Sequence, residues 1–189
     1  RRKLSTKLAE RRIDDMLVTH LTHVRYLSGF SGSNGAMLVS KDRTAAIATD
    51  GRYTTQIGEE VPDIAATIER NVGVAMLSKA AEGHRVGFEA DYVSVAQLEK
   101  LREACPEGVT LVPVSGVIEE IRLIKDNLEL TRLTEAAELT VEALEGLLEA
   151  GELRAGRTER EVAADLEYRM RVLGAERVSF DTIVASGPN

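Results

Sequence analysis

From Leu4 to about Gly116, short apolar runs alternate with segments of helical period, which is the pattern of an α/β sheet rather than of a bundle or a sandwich. Leu4 and Leu8, four apart, mark the buried stripe of a first helix, and Met16 to Thr19 reads as a buried strand. Ala36–Ser40 and Thr44–Thr49 are two more strands, separated by Lys41-Asp42-Arg43, a connection short enough for an antiparallel hairpin. Ile64–Ile68, Arg85–Phe88 and Val109–Val112 supply further strands, with helices over Val72–Ala81 and Val95–Ala104. The expected product is a mixed sheet of five or six strands.

The rhythm changes after Lys125. Asp126 and Glu129 form a variant capping box, and behind it Leu130, Leu133, Ala137, Val141, Leu144 and Leu148 follow spacings of 3, 4, 4, 3 and 4, the stripe of a long amphipathic helix that Gly151 stops. Thr158 and Glu161 form a second box, opening a helix with Val162, Leu166, Met170 and Leu173 on one face and Gly174 at its end. Ser179 to Ala185 then reads as a strand. The pattern predicts a first domain over residues 1–125 and a second over 126–189. The latter, at 64 residues, would bury only about 60% of its unfolded surface alone. Its lone strand lacks a sheet partner for its backbone N–H and C=O groups, so the second domain reads as incomplete.

Composition narrows the class. The 189 residues carry 31 acidic and 24 basic side chains, a net charge of −7, 43% hydrophobic residues and a single cysteine. These fractions are those of an ordinary globular chain of one to one and a half domains. No run approaches the roughly 18 apolar residues of a spanning helix and no secretory segment opens the chain, so a membrane protein is not expected. Cys105 alone excludes an internal disulfide or a cysteine-only zinc site and fits a reducing cytoplasm. An acidic surface also argues against nucleic acid as a partner. The start at Arg1 and the stop at Asn189, directly after an apolar run, read as cuts.

The candidate chemistry is sparse. Gly29, Gly32 and Gly35 are spaced G-x-x-G-x-x-G, with a strand after them rather than a helix, so they fit neither the dinucleotide fingerprint nor a phosphate loop. Ser31 likewise lacks the glycine of a nucleophile elbow. A structural turn is the reading that remains. Asp50 reads as a helix cap paired with Arg52, and Tyr53 as half-buried packing. His20 and His23 are three apart without a carboxylate or cysteine cluster beside them, and read as helix-end surface residues. Cys105 reads as a small buried side chain, and the glutamates from Glu129 to Glu167 as a solvated face. No histidine follows His84, so any late metal site would rest on carboxylates, of which the last strand offers only Asp181.

Three strings carry a family resemblance: His23 to Gly35, Thr49 to Tyr53, and Ile121 to Asp126; Gly156–Glu159, Leu173–Ala175 and Ser179–Asn189 extend it through the second part. Together, in this order, they resemble the Xaa-Pro peptidases, prolidase and aminopeptidase P. The resemblance implies a creatinase/prolidase-like N-terminal domain with a ribonuclease-H-like mixed α/β sheet and helices, followed by an incomplete pita-bread α/β catalytic domain. It implies two divalent metal ions, manganese, cobalt or zinc, in the complete enzyme, held by two Asp, one His and two Glu beyond the position matching Asn189. This chain would bind none of them and would be inactive alone. Phe180 matches a substrate-lining aromatic, and is the one substrate-binding residue carried over. The resemblance further implies a proline-containing peptide as substrate and a cytoplasmic homodimer, with the N-terminal domain helping to wall the neighbour's site. Two alternatives share the architecture: a non-catalytic peptidase-like binding module and a creatinase-like amidinohydrolase.

Overall fold

The computed structural model describes residues 1–187 and divides into two compact units, Arg1–Ile124 and a second from Lys125 on. The first unit is a six-stranded mixed sheet in the order β4-β3-β2-β1-β5-β6. Its strands are β1 (Asp15–Val18), β2 (Gly35–Ser40), β3 (Ala45–Thr49), β4 (Ala66–Ile68), β5 (Arg85–Glu89) and β6 (Thr110–Val114). The hairpin β2–β3 is antiparallel, as is β1 on β2, whereas β1 with β5, β3 with β4, and β5 with β6 are parallel. Its helices are α1 (Arg2–Glu10), α2 (Leu21–Ser28), α3 (Thr54–Glu60), α4 (Val72–Leu77), α5 (Val95–Glu103) and α6 (Val117–Leu123).

Alternation along the strands builds two cores. Met16, Val18, Met37, Val39 and Ile47 face a cluster with Leu4, Leu8, Val24, Phe30 and Ile118, while Leu17, Ala36, Leu38 and Ala48 face Met76, Leu77 and Leu101 on the other side. Helices thus cover both faces, which explains why β1 and β2 are buried at every position and read as unbroken apolar runs. Gly87 marks a close approach: a Cβ there would sit 2.9 Å from the Met16 sulfur and 3.0 Å from a Val114 methyl. Pro113 is tolerated in β6 because that strand is the sheet's edge, where one side of the ladder has no partner to lose.

In the second unit, α7 (Asn127–Glu149) and α8 (Glu159–Val172) open with complete capping boxes, Asp126 with Glu129 and Thr158 with Glu161. Gly151, at φ 68°, follows α7's end and Gly174, at φ 109°, follows α8's, a left-handed conformation that glycine adopts at little cost. Two expectations are corrected here. The apolar stripe of α7 is not its buried face: Leu130, Leu133, Val141, Leu144 and Leu148 are 46–54% exposed, and the helix buries Ala143 and Leu147 instead, one position around. With α8 as its packing neighbour, α7 buries one narrow face, and an Arg169 guanidinium donates to the Gly146 carbonyl at 2.9 Å there. Residues 179–185 form no strand, since none of the described residues offers them a ladder.

Candidate functional site

One group of polar side chains in the first unit gathers at the carboxyl ends of β1, β3, β4 and β5, while the Asp15–His84 pair lies at the opposite, amino ends of β1 and β5. Glu89 ends β5 and is 4% exposed, yet it meets four donors: the backbone N–H of Thr19 at 2.7 Å, that of His20 at 2.8 Å, the Thr19 hydroxyl at 3.5 Å and His23 Nδ1 at 2.7 Å. One buried carboxylate therefore satisfies the backbone at the entrance to α2. His23 is fully buried, which corrects its reading as a surface residue: it does stand near a helix end, but its neighbour in space is Glu89, 66 positions away. His20 stacks on Tyr92 with ring centroids 3.8 Å apart, and His84 Nδ1 lies 2.6 Å from the Asp15 carboxylate.

The glycine-rich segment is the structural turn its spacing implies. Gly29, at φ 89°, caps α2. Phe30, 1% exposed, inserts beneath Gly32 and Gly35, where added Cβ atoms would meet its ring at 2.2 Å and 3.1 Å. The polar residues between the glycines are held by partners. Ser31 donates from its N–H and hydroxyl to Glu60 at 2.8 and 2.6 Å, the Ser33 hydroxyl lies 2.5 Å from the Tyr53 hydroxyl, and the Asn34 amide donates to Asp50 at 2.7 Å. Asp50 in turn accepts two bonds from the Arg52 guanidinium, at 2.9 and 2.8 Å. Tyr53 is half-buried with its edge against Phe30.

These bonds set the acid behaviour. The Arg52 guanidinium, and after it the Asn34 amide, hold Asp50 far below its ordinary 3.8. Burial pushes Glu60 upward, but the Ser31 hydroxyl and N–H and the Gln56 amide outweigh it and keep Glu60 below its ordinary 4.5. Burial, and after it the neighbouring His23, lower His20 from 6.5. All three shifts have one sign: on acidification the unfolded chain takes up protons that the folded chain resists, so stability rises with pH. Urea midpoints measured from pH 7 downward are expected to fall in two stages, the first through 6.5 for His20 and the larger below 4.5 and 3.8 for the carboxylates. A midpoint that holds or climbs between neutral and acid pH overturns this assignment.

Beside the turn, between α4 and α5, lies a cleft of about 470 Å³. Its walls include Leu21, Val74, Val93 and Leu101, and the charged side chains lining it are Arg70 and Lys100. A broader depression shares Asn34, Arg70 and Asn71 with it and reaches Asp50 and Arg52.

In the second unit Phe180 is 73% exposed, on a segment without helix or strand, and Ile183 beyond it is 82% exposed. Among the described residues no group of three or more His, Cys, Asp or Glu side chains is arranged to hold a metal ion, so the described residues by themselves do not make up a metal centre. Cys105 is half-buried, its thiol pushed up by burial and pointing at the Val109 carbonyl. No described helix is long and apolar enough to cross a membrane.

Comparison with known proteins places both units. Residues 1–124 match the creatinase/prolidase N-terminal domain and residues 131–189 match metallopeptidase family M24. The chain is 36% identical to the uncharacterized peptidase YqhT of Bacillus subtilis, over 98% of this chain and 52% of that protein. It is 31% identical to an Xaa-Pro dipeptidase of Pyrococcus horikoshii, over 93% and 48%. It thus spans about half the length of these relatives. Among solved structures, the Xaa-Pro dipeptidase of Bacillus anthracis superposes with a TM-score of 0.83 at 31% identity, covering 95% of this chain and 50% of that one. The N-terminal domain of the cytoplasmic peptidase PepQ from Mycobacterium tuberculosis gives a TM-score of 0.61 at 45% identity, over 63% and 95%.

Proposed function

We propose, from the premise that this chain belongs to the family that joins a creatinase/prolidase N-terminal domain to an M24 metallopeptidase domain, that it is the first half of a metal-dependent Xaa-Pro peptidase. The observation that carries the reading is the order of the two matches along one chain, with a superposition on an Xaa-Pro dipeptidase that runs through both units. In this reading the complete protein hydrolyses X–Pro bonds with two divalent ions, manganese, cobalt or zinc, which would supply Lewis-acid chemistry when bound. In the same reading their ligands are supplied by sequence beyond these 189 residues.

Phe180 is the substrate-lining residue of this proposal. Its exposure supports the assignment, because an aromatic ring left 73% in water by its own unit is free to face a ligand once the catalytic domain is whole. The complete enzyme is read as a cytoplasmic homodimer, a location in line with the cytoplasmic PepQ relative. An assay of the 189-residue chain on an X–Pro dipeptide with manganese is expected to show no turnover, while the parent protein hydrolyses the same substrate. Metal-dependent hydrolysis by the short chain overturns the placement of the ligands, and a parent that binds no metal and cleaves nothing overturns the peptidase reading.

A further inference from the structure

We propose that the cleft between α4 and α5 is a binding site for a small organic carboxylate with an apolar body. The cleft opens at the carboxyl ends of the parallel neighbours β1 and β5, where chain connections leave in opposite directions: β1 leads to β2 on one side, and β5 leads to β6 on the other. Elements that diverge from such a reversal leave a crevice between them, the usual ligand position of open α/β sheets. At about 470 Å³ it has the size of a small-molecule pocket.

Charge selects the ligand. The chain carries a net −7, yet no Asp or Glu lines this cleft, and Arg70 and Lys100 face it without a carboxylate partner among the described residues. Gln97 spends its side-chain oxygen on the Ser94 N–H at 2.8 Å, which leaves its two amide N–H donors for a guest. The site is thus rich in donors and cations, and an anion is the group it can satisfy. The rest of the wall combines an aliphatic part, Leu21, Val72, Val74, Val93 and the buried Leu101, with the uncharged polar residues Thr19, Ser33, Asn34 and Asn71. An inorganic anion would leave the aliphatic part in water. A carboxylate carrying a branched aliphatic group covers it while its two oxygens meet Arg70 and Lys100.

Two-dimensional amide NMR titration of the 189-residue chain tests this, with N-acetyl-leucine as probe and N-acetyl-leucinamide and inorganic phosphate as controls. N-acetyl-leucine is expected to shift the amides of Gly73, Val74, Val93 and Lys100 saturably, with the neutral amide and phosphate each binding several-fold more weakly. Arg70→Ala and Lys100→Ala are each expected to weaken binding about fivefold, the value of one exposed charge pair, and Arg70→Lys less. Both residues are exposed, and an unchanged spectrum outside the cleft shows that the variants keep their fold. Equal binding of the neutral amide, equal binding of phosphate, or no saturable shift at these amides overturns the assignment.

Discussion

Replacing Glu89 by alanine is expected to destabilise the first unit by about 3–5 kcal/mol, the cost of removing one member of a buried, hydrogen-bonded pair. The size follows from what is stranded. The N–H groups of Thr19 and His20 and the Nδ1 of His23 all meet this carboxylate within 2.8 Å, and His23 is fully buried. A buried donor left without a partner costs about 1–3 kcal/mol; the His23 bond is buried and those of the Thr19 and His20 N–H groups are half-buried, and all three are lost together. Glu89→Gln keeps one oxygen acceptor but turns an amide N–H toward donors, so it should cost less than alanine and more than a surface change. Urea unfolding followed by near-ultraviolet circular dichroism reads the effect, since three of the four tyrosines (Tyr26, Tyr53 and Tyr92) lie in this unit. An alanine variant within about 1 kcal/mol of wild type, the value of one ordinary hydrogen bond, would show that water replaces the carboxylate and that the anchor is incidental.

The same residue explains which parts of the fold are legible in the sequence. The helices beginning after Asp126 and Thr158 are readable because their caps lie three residues from the groups they satisfy. Strands β1, β2 and β3 are readable as apolar runs, and the three-residue gap between the latter two predicts their antiparallel pairing. Helices α2 and α6 have no such local signal. Their N-caps, His20 and Gly116, accept no side-chain capping bond, and the carboxylate at the entrance to α2 arrives from 69 residues away. A period-based reading cannot find a cap supplied by another strand, and it therefore places His23 on the surface. The α7 stripe shows the opposite limit. Periodicity states which face of a helix is apolar, but burial depends on a neighbour, and α7 packs through Ala143 and Leu147 while its stripe stays open. The candidate cleft was not legible at all, because Arg70, Val93 and Lys100 meet only once β4 and β5 are placed in the sheet.

The glycine-rich turn yields a sharper test, because its spacing is explained by one aromatic ring. Phe30→Ala is expected to cost about 3–5 kcal/mol, the range for emptying a buried phenylalanine site. Gly32→Ala with Phe30 present should cost about 1–3 kcal/mol from overpacking, since its Cβ would lie 2.2 Å from the ring Cζ. The ring cannot easily swing away: it is 1% exposed and meets Tyr53 edge to face at 5.7 Å. In the Phe30→Ala background the clash is gone, so Gly32→Ala should be almost free there. A double-mutant cycle is therefore expected to give a coupling of about 1–3 kcal/mol, in the upper range for residues in contact. If alanine at position 30 leaves too little folded protein to measure, Phe30→Leu opens the same space in part and should reduce the cost of Gly32→Ala in proportion. Strict additivity would mean that the backbone at Gly32, not the ring, demands glycine. Coupling instead assigns each glycine a separate task, Gly29 for the left-handed cap of α2 and Gly32 and Gly35 for room over Phe30. A spacing that superficially suggests a phosphate loop is then a record of side-chain packing beneath the turn.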